Sequence, residues 1–187
     1  MVAVVDVLTT GYADERVAST VTVIRDGDRN IVVDPGMVAS RGLILDPLRR
    51  LGIEPDQVSD VVLSHHHPDH TVNIALFQHV LVHDFMATYS DDIWRDHPDG
   101  DFVVSESVRL MLTPGHTDQD VTTLVDTADG LIALTHLWWS SVGPADDPFA
   151  ASRQRLTDSR LAVIALGPSL VIPGHGAPFQ LTDEVPR

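Results

Sequence analysis

The sequence predicts a layered α/β domain, two sheets with helices outside. Apolar strand-like segments dominate the chain and are punctuated by Gly, Pro and Asp turns. Helical periodicity appears between them and not in one block. The 187 residues, 43% of them hydrophobic, suffice for one domain with a sizeable core spanning residues 1–187.

The elements follow in order. Val2–Leu8, Thr20–Arg25 and Asn30–Asp34 read as strands, with Asp26-Gly27-Asp28 as a hairpin turn. Gly42–Leu51 reads as a helix with Leu43, Ile44, Leu48 and Leu51 on one face, ended by Gly52. Val61–Ser64 is a strand, Asp69–Phe77 a short helix and Val80–Val82 a strand. Strands follow at 102–104, 108–113, 121–126 and 131–135. Ala151–Ala165 is a helix with Leu156, Leu161 and Ile164 inside, and Leu170–Ile172 is the last strand. No repeat, linker or low-complexity segment interrupts this pattern.

Composition removes several classes. Cysteine is absent, so any metal is held by His and Asp/Glu. Net charge is −15 and all 12 basic residues are Arg, clustered only at Arg49-Arg50. A large nucleic acid, which needs clustered cations, is therefore not expected. No run of 18 apolar residues exists, so no membrane span is expected. Met1–Val5 is too short for a signal segment and Asp6 interrupts it, which gives a cytoplasmic expectation. Oligomeric state is not readable.

The chemistry concentrates in His65-His66-His67-Pro68-Asp69-His70. Extended chain after Val61-Val62-Leu63 puts the i, i+2 pair His65 and His67 on one side. His66 then faces the other way. Pro68 opens a helix, bringing Asp69 and His70 back. The run can present ligands to two adjacent ions, and its donors suit zinc, iron or manganese. His116, His136 and His175 each follow an apolar strand in a turn, two of them after Pro-Gly.

These motifs carry a resemblance. His65-x-His67-x-Asp69-His70, Pro114-Gly115-His116-Thr117, Pro173-Gly174-His175-Gly176 and Val32-Val33-Asp34-Pro35-Gly36 resemble, in order, those of the metallo-β-lactamase-fold hydrolases over residues 19–180. Within them, His83-Asp84-Phe85, Asp120-Val121 and 171–179 most resemble the group called metallo-β-lactamase domain-containing protein 1. The resemblance implies an αββα sandwich with a dinuclear metal site at one edge. His65, His67 and His116 would hold one ion, and Asp69, His70 and His175 the other, as one or two Zn2+. His83 would support the site from behind. One position departs: the family's bridging Asp falls on His136. An imidazole gives one lone pair to one metal, so His136 is a terminal ligand or none.

The leading expectation is hydrolysis of a small-molecule ester, thioester, lactone or phosphoester by metal-bound hydroxide, with Asp69 as the catalytic carboxylate. An iron-dependent oxidoreductase and a degenerate metal-binding module are the alternatives. Trp138-Trp139 either walls an apolar pocket or splits between core and surface. The stretch 140–149 reads as a mobile rim. Asp34 and Asp120 are placed to accept a bond from a liganding imidazole.

Overall fold

Parallel pairing decides where the strand ends gather. The computed structural model describes residues 2–97 and 101–187. In the first half, β1 (Val4–Thr9) precedes a small hairpin, β2 (Tyr12–Ala13) and β3 (Val17–Ala18). Then come β4 (Val21–Asp26), β5 (Arg29–Val33), helix α1 (Gly42–Arg50), β6 (Asp60–Val62), helix α2 (Pro68–Thr71), β7 (Leu81–His83), β8 (Ala87–Ser90) and β9 (Ile93–Asp96). They build a seven-stranded sheet in the order β1-β4-β5-β6-β7-β8-β9. The second half supplies β10 (Phe102–Val103), β11 (Val108–Leu112), β12 (Val121–Thr127), β13 (Gly130–Thr135), helix α3 (Arg153–Ala165) and β14 (Leu170–Pro173). Its sheet runs β10-β11-β12-β13-β14.

The alternation of side chains along each strand builds the layers. In β5, Ile31 and Val33 face the second sheet while Val32 faces α1, and in β6 Val62 and Val61 divide the same way. In the other sheet, Ile132 and Leu134 point inward and Ala133 points to α3. This period-two pattern with apolar residues on both faces is what a sheet covered on both sides requires. The result is a four-layer αββα sandwich, as the sequence implied. No helix among the described residues is long and apolar enough to cross a membrane.

Two helix faces differ from expectation. In α1, Ile44 and Leu48 are buried but Leu43 is exposed. In α3 the buried set is Leu156, Ser159, Arg160 and Val163, while Leu161 points to solvent. The segment read as one helix over 69–77 is α2 followed by a 3-10 turn at Ile74–Leu76.

Strands β5, β6 and β7 are parallel, as are β13 and β14. Their carboxyl ends therefore lie at one edge of each sheet, where turns are free to carry function. Asp34 follows β5, His65 follows β6, His136 follows β13 and His175 follows β14. The sheets meet there: the Val121 amide donates to the Ser64 carbonyl and the Thr20 amide to the Gly174 carbonyl.

Candidate metal centre

The turn after β5 positions the start of α2. Asp34 adopts a left-handed backbone (φ 51°), a conformation Asp tolerates. One of its carboxylate oxygens accepts from the Ser64 amide at 2.7 Å and the other lies 2.9 Å from His70 Nδ1. Gly36 then passes under α2 so closely that a Cβ would sit 1.6 Å from the Asp69 carbonyl oxygen. Gly36→Ala is expected to push α2 away from the centre, at a cost of about 1–3 kcal/mol of stability. A urea titration and metal content measured together would check it, and native values for both would show that the approach tolerates a methyl group.

Six histidines converge at this edge. His65, His70, His116, His136 and His175 are buried, and His67 is partly buried at the mouth. Four have Nδ1 tied outward. His65 Nδ1 is 3.0 Å from Ser64 Oγ, and His70 Nδ1 meets Asp34. His116 Nδ1 is 2.8 Å from an Asp147 oxygen, and His175 Nδ1 donates to the Ala18 carbonyl at 3.0 Å. Fixing one ring nitrogen to an outer partner turns the other inward in a defined tautomer, the usual support for a liganding imidazole.

His136 occupies the middle. Its ring centroid lies 4.6 Å from that of His65, 4.8 Å from His70, 4.3 Å from His116 and 4.9 Å from His175. Two trios have ligand atoms all within 4.8 Å of one another: His65, His116, His136 and His70, His136, His175. His136 belongs to both. The other expected ligands flank these trios. His67 Nδ1 is 3.0 Å from His116 Nε2, and Asp69 Oδ2 is 3.4 Å from His70 Nε2 and 3.5 Å from His175 Nε2. All seven sequence-derived positions are thus brought together. Gly174 makes room for the central ring, because a Cβ there would meet His136 Cδ2 at 2.3 Å.

A cation fits this cluster. His65 Nε2, His70 Nε2 and His136 Nδ1 are buried without a hydrogen-bond partner. Each unpaired buried polar atom costs about 1–3 kcal/mol, and divalent ions held at the two trios would satisfy them. Nitrogen donors with one carboxylate suit zinc, iron or manganese. The surrounding charge also favours a cation. Burial opposes charge on His70, but Asp34 and Asp69 outweigh it and hold the imidazole up at about 9. Burial likewise opposes the Asp69 charge, yet His70 holds that carboxyl down at about 2. His136 has no carboxylate beside it, and burial pushes it well below the usual imidazole range.

Outer residues partly follow the sequence reading. Asp34 acts as expected. Asp120 does not reach His65 within hydrogen-bond distance, the gap to Nδ1 being 3.9 Å; it binds the Thr117 amide and hydroxyl instead. His83 is not behind the centre. It sits between Asp60 and Thr88, because Leu81–His83 ends the pairing of β7 one strand further out. Asp147, the partner of His116 and also of Trp139 Nε1, was not singled out in the sequence. The tryptophans split: Trp138 is fully buried and Trp139 walls the cleft. The rim over 140–149, expected to be mobile, is tied down where Arg160 donates to the Pro144 and Ala145 carbonyls.

His66 faces away from the cluster, and its Nε2 lies 2.7 Å from Asp84. Asp84 is buried and also accepts from the Tyr89 hydroxyl and from the Met86 and Ala87 amides. This clamp fixes the segment that presents His65 and His67. His66→Leu is expected to weaken metal binding by about tenfold, read by competition with a chromogenic chelator. Unchanged affinity would make the contact dispensable.

A cleft of about 510 Å³ opens over the cluster, with His67, Asp69, His116 and His175 in its floor and Val17, Met37, Trp139 and Phe149 around them. The Trp139 and Phe149 rings stack at 6.0 Å.

A sandwich of this layering with its histidines at the carboxyl edge defines a class, and the chain belongs to it: the metallo-beta-lactamase superfamily, whose model matches residues 14–84. The particular relatives share a further name. Metallo-beta-lactamase domain-containing protein 1 of Xenopus laevis is 30% identical over 196 residues, covering 95% of this chain and 81% of that protein. The Mus musculus protein of the same name is 31% identical over 169 residues, and the match covers 82% of this chain but only 62% of its length. Among solved structures, a Thermotoga maritima metallo-beta-lactamase-like protein aligns with a TM-score of 0.75 at 21% identity, covering 97% of this chain and 100% of that one. An N-acyl homoserine lactone hydrolase with product at its metal centre aligns at 0.64 and 20% identity, over 87% and 84%. A chemotaxis sensor with a peroxy diiron species aligns at 0.67 and 18% identity, over 97% and 90%. At these identities the structures establish the shared fold.

Proposed function

We propose that this chain is a metal-dependent hydrolase acting as one domain on a small acyl compound, an ester, thioester or lactone. The observation that carries this reading is the set of three buried, unpartnered ring nitrogens beneath an open cleft. His65, His67 and His116 would hold one ion, Asp69, His70 and His175 a second, with His136 between them. We take the ions to be zinc. Bound there, they would lower the pKa of a water molecule and polarise the scissile oxygen.

The chain's own residues do the rest. Asp69, partly exposed at the cleft floor, would accept a hydrogen bond from the attacking water and orient it. Trp139 and Phe149 exclude solvent from one side and pack against the acyl portion. Asp147 and Asp34 keep His116 and His70 aimed inward. No arginine is among the residues lining the cleft, which favours an acyl group over a phosphoester. The lactone hydrolase with the same fold, named with its product at a catalytic metal centre, is consistent with that chemistry.

The test is metal analysis of protein purified without added metal or chelator, followed by assay on ester, thioester, lactone and phosphoester panels. About two zinc ions and turnover of an acyl member, lost on chelation, are expected. A second reading, an iron oxidoreductase, is favoured by the all-imidazole middle of the cluster and by the diiron neighbour. Bound iron with oxygen consumption and no hydrolysis would select it. Metal without any turnover would select a binding module.

A further inference from the structure

The cleft has a neighbour. A second lobe of about 410 Å³ adjoins it and is lined by Tyr12, Ser140, Val142 and Pro144. The two lobes share Ala13, Asp14, Trp139 and His175. His175 therefore borders both lobes. The walls differ. The larger lobe is bounded by Val17, Met37, Trp139 and Phe149, which suits a hydrocarbon arm. The smaller lobe is bordered by the polar residues Tyr12 and Ser140 and, shared between the lobes, the exposed Asp14.

Charge sorts what can occupy the smaller lobe. No arginine is among the residues lining either lobe. Arg153 pairs with Asp146 at 2.8 Å and Arg155 with Asp118. Arg16 stacks over the outer Tyr12 ring at 5.5 Å, and its charge works against that of Asp14 there. The chain carries a net charge of −15, which opposes anions away from the cluster, while bound divalent ions would attract them at the cluster itself.

We infer that the two lobes divide an ester or thioester between them, the acyl chain in the larger lobe and an uncharged or cationic leaving group in the smaller, with Asp14 as the residue that selects against anions. This rests on the hydrolase reading. In the reaction, water oxygen adds to the acyl carbon and the bond from that carbon to the leaving oxygen or sulfur breaks. The leaving group departs as alcohol or thiol with one proton of the water, and the acyl part leaves as the carboxylic acid. Asp14 acts on binding of the leaving arm and takes no part in bond making.

The test uses metal-loaded protein and three hexanoyl esters with the same acyl chain. Their alcohols end in trimethylammonium, in a neutral hydroxyl or in sulfonate. The kcat/KM for the ammonium ester is expected to exceed that for the sulfonate ester by about tenfold or more at low salt, and the ratio to shrink at 1 M salt. Asp14→Asn is expected to bring the ratio toward one, and Asp14→Arg to invert it. Equal rates for the two charged esters, or a preference unmoved by both variants, would overturn the inference while leaving hydrolysis intact. If no ester is hydrolysed, the hydrolase reading has failed. Calorimetric binding of N-substituted hexanohydroxamic acids ending in ammonium or sulfonate then decides the charge selection. Tighter binding of the ammonium form, lost in Asp14→Arg, supports it, and equal binding or the reverse order refutes it.

Discussion

His136→Ala is expected to remove at least one metal equivalent per chain and to lower any hydrolysis by about 10²-fold or more. Loss of an outer support costs about 10–100-fold in metal affinity or activity, and His136 is an inner member of both trios. Its fully buried ring has one nitrogen without a partner and the other 3.0 Å from His175 Nε2. His136→Asp gives the sharper comparison. A carboxylate offers two oxygens to two ions, and the shorter side chain relieves the close approach to Gly174. This variant is expected to keep its metal where the alanine variant loses it. Elemental analysis of the three proteins, prepared alike, decides the matter. Equal metal in wild type and alanine variant would make His136 a core histidine and leave the ions to His65, His67, His116, Asp69, His70 and His175.

The same residue shows what the sequence can carry. The clustered positions were legible because His65, His136 and His175 each follow an apolar run at the carboxyl end of a parallel strand, where strand ends gather, while His116 sits in the turn after an antiparallel strand and Asp69 and His70 in the helix that Pro68 opens. The layered fold was legible because apolar strand-like segments dominate with helical ones interspersed, whereas the division of 31–33 and 132–134 between two faces was not, since every residue in both runs is apolar. Three further kinds of feature were hidden. The strands Ala87–Ser90 and Ile93–Asp96 are short and polar, and β9 is exposed throughout, so pairing and not burial defines them. Asp147 meets His116 across 31 residues, from an irregular acidic stretch with no local pattern to mark it. The buried face of α3 has the helical spacing i, i+3, i+4, i+7 from Leu156 to Val163, but two of its members are Ser159 and Arg160. Hydrophobic periodicity picks Leu161 instead, because a buried guanidinium looks like a surface residue until its acceptors are known.

Those acceptors make Arg160 the second large prediction. Its side chain is fully buried and donates to the Leu137 carbonyl at 3.0 and 2.8 Å, to Ala145 at 3.0 Å and to Pro144 at 2.7 Å. The guanidinium also lies over the Trp138 ring at 5.7 Å. One cation thus ties α3 to both ends of the loop that carries Trp139 and Asp147. Arg160→Met keeps most of the apolar volume but leaves three carbonyls without their donor, and is expected to cost about 3–5 kcal/mol. Arg160→Lys keeps the charge and fails in geometry, since an ammonium lacks the planar fork that reaches three acceptors. Urea titration of the metal-loaded proteins measures the loss. The site should feel it as well: once Asp147 drifts, His116 Nδ1 loses its partner and its inward nitrogen is no longer held. Metal affinity should therefore fall in Arg160→Lys even where the fold survives. Native affinity in that variant would mean that Trp139 Nε1, 2.8 Å from Asp147, holds the carboxylate without help from the loop.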